Sequence, residues 1–256
     1  ALNAIARAVI PDLLNNTPFT KILEKGIQNA NQDILDYTAK NPEASGMGTT
    51  SVCAVVKDNQ IHLANVGDSR AYRVSDDEIC RVTKDHSYVQ ALIDEGEITE
   101  EQAREHPRKN EITRAVGIMP SIEVDTMKLT LDSDESLLLC CDGVIAHLSD
   151  DDIHKIIRDS PDPQTACQEI VDMANERGGS DNISLITLLD TTLVVDSIVL
   201  PPLGAGSYSL LASNLSNFCT ANDIMSVVQS PIITVNSIVD SSTSPSPSCN
   251  GSIFVQ

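Results

Sequence analysis

The chain has 256 residues, 41% of them hydrophobic and 21% charged, with 37 Asp and Glu against 17 Lys and Arg for a formal charge of -20. That length carries one catalytic-sized domain with an appendage, and a composition near the globular average excludes wholesale disorder and a membrane bundle. The acidic balance repels phosphodiester backbones and anionic lipid, so neither nucleic acid nor a membrane surface is expected as a partner.

Carboxylates in excess of basic neighbours suit hard divalent cations, which take oxygen ligands, although most of them are read as a solvated acidic surface. Seven cysteines, at 53, 80, 140, 141, 167, 219 and 249, form no C-x-x-C pair. They are read as reduced thiols of a cytoplasmic protein rather than a disulfide or zinc framework. No apolar run reaches the ~18 residues a spanning helix needs. The chain starts without Met and in mid-helical pattern at Ala1-Leu2-Asn3-Ala4-Ile5, from which a preceding segment is expected.

Apolar residues recur at helical spacing from Ala1 to about Leu14 and again from Phe19 to about Lys40, predicting two helices joined at Thr17-Pro18. Ser51 to Val56 and Ile61 to Val66 follow as a hairpin, and Arg70 to Val74 and Ile79 to Thr83 as further antiparallel strands. From about Asp85 to Pro120 short polar helices replace strands, with Tyr88, Leu92 and Ile93 on one stripe and Glu100 to Glu105 forming another helix. Sheet resumes at Ile122 to Leu131, which alternates like a half-buried strand, and at Ser136 to Cys141, which is apolar throughout like a buried one. Ser149-Asp150-Asp151-Asp152 has the form of a capping box and is read as a helix start rather than a metal cluster. Helices at Asp152 to Arg158 and Pro163 to Glu176 and a strand at Ile183 to Leu189 complete the domain. No Lys or Arg occurs after Asp190, and the Ser, Thr and Val-rich segment 191–256 is expected as a poorly ordered tail without an assigned role.

Three aspartates lie at the ends of apolar strands beside Gly or Asn: Asp68 in Val66-Gly67-Asp68-Ser69-Arg70, Asp142 in Cys140-Cys141-Asp142-Gly143, and Asp181 in Gly179-Ser180-Asp181-Asn182. Taken singly, each is an ordinary turn residue. Strand ends that converge at one edge of a sheet could bring all three into one cation site, and Gly beside a carboxylate lets backbone approach an ion.

Six segments now identify a family. Met47-Gly48-Thr49-Thr50, Val66-Gly67-Asp68-Ser69-Arg70-Ala71-Tyr72, Thr83-Lys84-Asp85-His86-Ser87, Ile112-Thr113-Arg114-Ala115-Val116-Gly117, Leu138-Leu139-Cys140-Cys141-Asp142-Gly143 and Gly179-Ser180-Asp181-Asn182-Ile183-Ser184 stand in the order and spacing of bacterial-type PPM (type 2C) metal-dependent serine/threonine protein phosphatases. The resemblance covers residues 1–190. It implies an α+β fold, an antiparallel β-sandwich flanked by helices, with two or three Mn2+ or Mg2+ ions at one edge and a flap over about 86–120. By the same resemblance Asp142 and Asp181 ligate the first metal, Asp68 with Asp142 holds a further, weaker ion, and no side chain is the nucleophile because a metal-activated water attacks phosphorus. Its implied partners are phosphorylated proteins, among them a cognate serine/threonine kinase, with the enzyme itself a cytoplasmic monomer.

One departure stands out. The family's early phosphate-gripping Arg and its first Asp-Gly metal motif normally precede the helix that here begins at Ala1, so the domain is expected to be N-terminally incomplete. The alternative function is therefore a catalytically inactive phosphatase-like binding or regulatory module. Of the histidines at 62, 86, 106, 147 and 154, none makes a zinc motif, and His86 is read as a structural hydrogen-bonder. Asp132-Ser133-Asp134-Glu135 is read as a solvated turn, and the sequons at Asn182 and Asn214 as accidental.

Overall fold

The structure is a computed structural model that describes residues 4–7, 9, 17–57, 60–132, 134–179, 181–189, 197–199, 206–213, 220–227 and 252–254. Helix α1, Phe19–Lys40, begins after Pro18, whose ring fixes a backbone angle compatible with a helix start, and places Lys40 in its last turn against the negative end of the dipole. Its buried stripe is Ile22, Leu23, Ile27, Ala30 and Ile34, the spacing expected of a single apolar face. Residues 4–7 are helical, and Ile5 and Val9 lie against Gly26 of α1, where a side chain would leave them no room. The rest of the first expected helix lies outside the described residues.

Two sheets form the centre. The first runs β5-β2-β1-β8 and contains β1 (Ser51–Lys57), β2 (Gln60–Val66), β5 (Asp125–Thr130) and β8 (Ser197–Val199). The second runs β4-β3-β6-β7 and contains β3 (Arg70–Val74), β4 (Ile79–Arg81), β6 (Ser136–Cys140) and β7 (Leu185–Leu189). Every pairing in both sheets is antiparallel.

Period-two alternation sends successive side chains to opposite faces and thereby builds three apolar layers. Val52 and Ala54 of β1, Ile61 and Leu63 of β2, Ala71 of β3, and Leu137 and Leu139 of β6 fill the space between the sheets. Their neighbours Cys53, Val55, Ala64 and Val66 turn outward onto α1. On the other side Tyr72, Val74, Leu138 and Cys140 meet the helices α5 (Asp150–Asp159) and α6 (Pro163–Glu176). Burying one Leu, Ile or Val of these layers contributes about 1.5–3 kcal/mol, so the stack of helix, sheet, sheet and helix is the main source of stability.

The short helices are specified by their caps. Ser87 accepts from the Gln90 amide to start α2 (Tyr88–Asp94), and Thr99 with Gln102 makes a capping box for α3 (Glu100–Glu105). The box expected at Ser149 is present, with Asp152 returning to the Ser149 amide, so those acidic residues open a helix. One element escaped the sequence reading: Cys141 leaves the strand, and a single helical turn, α4 (Asp142–Ile145), follows β6 at once. Asp132 and Glu135 close the expected turn through the bond from the Glu135 amide to the Asp132 carbonyl. Of residues 191–256 the structure describes only backbone strands: β8 on β1, and a separate sheet of β9 (Gly206–Ser213), β10 (Thr220–Val227) and β11 (Ser252–Phe254). The remainder of that segment lies outside the described residues. No helix among the described residues is long and apolar enough to cross a membrane.

Candidate metal centre

Strands β3, β6 and β7 are immediate neighbours, and their register aligns Arg70 with Cys140 and Cys140 with Leu185. Asp68 stands two residues before Arg70, Asp142 two after Cys140, and Asp181 four before Leu185. All three aspartates therefore emerge at one end of one sheet, just beyond adjacent strands about 4.8 Å apart, with Asp142 beyond the middle one.

Charge reports the same order. The Asp68 carboxyl is pushed up to about 6, first by burial and then by the charge of Asp142. Asp142 is also raised, first by loss of solvent and then by Asp181. Although Asp142 is exposed at its surface, the cleft walls around it screen its carboxylate from enough water for that shift. No Arg, Lys or His forms an ion pair with any of the three among the described residues. Like charges crowded at a partly dry edge, opposed at Asp68 by the charge of an Arg70 already paired with Asp85, are the situation that a bound divalent ion reverses. The described residues contain no group of three Asp, Glu, His or Cys side chains close enough to enclose one ion.

The loops that carry the row are held by backbone contacts. A Cβ on Gly143 would collide with the Asn182 carbonyl oxygen and lie 3.0 Å from its carbonyl carbon, so only glycine lets the Asp142 and Asp181 loops touch. Beside that contact, the Cys141 thiol donates to the Asn182 carbonyl (3.2 Å) and accepts from the Ser184 amide (3.2 Å). Asp142 and Asp181 are steadied by the next amide in the chain, Gly143 to Asp142 Oδ1 at 3.0 Å and Asn182 to Asp181 Oδ1 at 2.7 Å. Gly67 has φ +107°, and its missing side chain makes room for Thr50. The Thr50 hydroxyl in turn meets that of Ser69 at 2.8 Å, which ties the Gly-Thr-Thr segment to the Gly-Asp-Ser segment.

Asp85, which was not singled out as a site residue, is buried and gripped by Arg70, whose Nε and Nη2 reach its carboxylate at 2.7–3.0 Å. That grip makes it a structural acid. Arg70 Nη1 also donates to the Tyr72 hydroxyl, which donates to Asp150 Oδ1 at 3.2 Å, tying the sheet to α5. Burial pushes the Cys141 thiol up to about 11 and the Cys53 thiol up to about 12, so neither is a nucleophile at neutral pH. Asp68 and Asp142 open into a cleft of about 360 Å³. One wall is Ile145 to Ser149, and the other is the flap, represented by Ser87, Gln90, Ala103, Arg104 and Lys109.

Comparison with known proteins gives the chain its family. The family pattern described as "Protein phosphatase 2C" matches residues 6–92 and 103–183. The serine/threonine phosphatase stp of Listeria innocua is 37% identical over 164 residues, which cover 64% of this chain and 65% of that protein. The serine/threonine protein phosphatase PstP of Mycobacterium tuberculosis is 32% identical over 167 residues, 64% of this chain and 32% of that one. Among solved structures, the serine/threonine phosphatase Stp1 of Staphylococcus aureus superposes with a TM-score of 0.67 at 29% identity, over 72% of this chain and 75% of that one. The catalytic domain of PstP in complex with two manganese ions superposes with a TM-score of 0.61 at 28% identity, over 72% and 80% of the two chains. The chain thus spans slightly less than two thirds of the length of the Listeria relative.

Proposed function

Because the chain belongs to the protein phosphatase 2C family, we propose that it hydrolyses phosphoserine and phosphothreonine in proteins at a Mn2+ or Mg2+ centre. The observation that carries this reading is the row Asp68, Asp142, Asp181, which makes no ion pair with a basic side chain among the described residues and whose first two members open into a cleft under the flap. Asp142 and Asp181 would hold one ion, and Asp68 with Asp142 would hold another. Bound there, divalent ions lower the pKa of a water to make a nucleophile and neutralise charge on the phosphoryl oxygens.

The protein's own groups do the rest by placement. Asp142 would be shared because it follows the end of the middle strand, and the Gly143 to Asn182 contact sets its separation from Asp181. The flap wall and the Ile145 to Ser149 wall confine a phosphorylated segment beside the row. No side-chain nucleophile is called for, in keeping with a Cys141 thiol that stays protonated in its buried position. The substrates are phosphorylated proteins, including a cognate serine/threonine kinase, and the enzyme works as a monomer. A cytoplasmic setting accords with the five free thiols among the described residues.

The test is hydrolysis of a phosphothreonine peptide by the chain with and without Mn2+, beside Asp142→Asn and Asp181→Asn, once thermal melts show that all three fold. Each substitution is expected to remove more activity than the about 10–100-fold lost when an outer-shell partner is changed. A folded wild-type chain that neither turns over the peptide nor binds Mn2+ overturns the reading.

A further inference from the structure

His86 is buried, 8% exposed, and grips a single residue, Gly67, through the peptide units on both its sides. Its backbone amide donates to the Gly67 carbonyl at 2.9 Å, and its ring Nδ1 accepts from the Gly67 amide at 3.0 Å. The next residue along is Asp68. We propose that His86 is a positioning residue: held by Asp125 as the tautomer with the proton on Nε2, its ring fixes the Gly67 turn and through it the Asp68 carboxylate. The proposal rests on the metal-dependent reading above for its consequence, and on geometry alone for the tautomer.

The tautomer follows from the contacts. An amide N–H can bond only to a ring nitrogen that carries no proton, so Nδ1 is bare. A neutral imidazole then bears its proton on Nε2, which faces Asp125 Oδ2 at 3.2 Å as a donor to a carboxylate. Arg114 Nη1, 3.0 Å from Nε2, cannot bond to a nitrogen that already carries a proton, and it donates instead to Asp125 Oδ1 at 2.6 Å. Arg114 also reaches Glu123, so Asp125 is held in place from the flap exit while it orients the ring. Burial, reinforced by the Arg114 charge against the opposing pull of Asp125, keeps the ring below its ordinary pKa and neutral. The carbonyl of His86 accepts from Thr113, and the adjacent Ser87 caps α2, so one residue ties the Asp68 turn to both ends of the flap. Gly67 has φ +107° and packs on Thr50, a turn without slack. Removing the ring leaves a buried N–H unpaired one residue from the carboxylate, and the turn must move to satisfy it.

The experiment compares His86→Asn, His86→Gln and His86→Ala in the full chain. Asparagine places an acceptor oxygen near Nδ1 and keeps the Gly67 bond, whereas glutamine reaches toward Asp125 with no acceptor at the Nδ1 position. Mn2+ affinity is read from the free-ion electron paramagnetic resonance signal, and the turn from hydrogen exchange of the Gly67 amide. We expect His86→Asn within about 3-fold of wild type in Mn2+ affinity, and His86→Gln and His86→Ala weakened about 10–100-fold with faster Gly67 exchange. Rescue by glutamine rather than asparagine overturns the proposal, as do folded variants that all match wild type. Nitrogen NMR of the wild-type ring decides the tautomer whether or not any variant folds: a proton on Nδ1 overturns the proposal. If wild type binds no Mn2+, the phosphatase reading fails, while the ring tautomer and Gly67 exchange in wild type and variants still decide the positioning claim.

Discussion

Replacing Gly143 by Ala tests whether backbone contact sets the spacing of the candidate metal row. The new Cβ falls on the Asn182 carbonyl oxygen and 3.0 Å from its carbonyl carbon, inside any ordinary contact distance, and both neighbours are main chain rather than a side chain that can swing away. The Asp142 and Asp181 loops must separate, at the about 1–3 kcal/mol typical of overpacking. For a domain of this size that lowers Tm by roughly 2–12 °C, using about 2–4 °C per kcal/mol. The Cys141 thiol bridge to Asn182 and Ser184 stretches with it. The assay is a thermal melt of wild type and Gly143→Ala, each with and without saturating Mn2+, and Mn2+ titration calorimetry of both. Gly96→Ala serves as control: its φ of +73° strains an Ala, but a Cβ there meets nothing within 4 Å. We expect the control to lose about 1 kcal/mol with its Mn2+ response intact, and Gly143→Ala to lose stability together with most of that response. A Gly143→Ala chain with wild-type melting and wild-type Mn2+ affinity would refute the reasoning, because it would show that the two loops do not depend on touching.

Two further outcomes follow from the scaffold. Leu139→Ala, in the layer between the sheets and 1% exposed, is expected to cost about 2–5 kcal/mol in chemical denaturation, whereas a loss below about 1 kcal/mol would show that the layer is loosely packed. Asp152 carries both the Ser149 capping box and the pair with Arg177, and those bonds hold its carboxyl far below the ordinary carboxylate range. A carboxylate depressed on folding stabilises above its unfolded pKa of about 3.9, and that contribution is lost as pH falls below it. Asp152→Ala is therefore expected to cost about 1–2 kcal/mol at pH 7, discounted for the exposed Arg177, with the gap to wild type closing under acid. A gap that stays constant from pH 7 to pH 3 would count against it.

Much of this fold was legible because its signals are local. The alternation in Ser51 to Val66 and Arg70 to Val74 separates an inner from an outer face without knowledge of the partner sheet. The stripe of α1, the capping boxes at Thr99 and Ser149, and helix α6 needed no long-range information either. Asp68, Asp142 and Asp181 were recognisable as strand-end residues beside Gly or Asn, but their alignment on adjacent strands depends on the order β3-β6-β7, which no local pattern encodes. The contact between Gly143 and Asn182 had no signature beyond a glycine, because a backbone carbonyl is the same at every residue. Helix α4 was missed since its four residues are too few for a helical period to register. The His86 ring bonds join residues 19 and 39 positions apart, and only packing brings them together.

Hanging all three carboxylates from one sheet means that their pitch is a property of the peptide unit and not of any side chain. Interstrand distance is nearly the same whatever residues ride on the strands. The outer faces of the sandwich can therefore drift in sequence, and the helices covering them can re-seat, without changing how far apart the three aspartates stand. Such a gauge is lost by breaking the ladder, as a proline in the middle of β6 would, or, beyond the strand ends, by parting the Gly143 contact with Asn182.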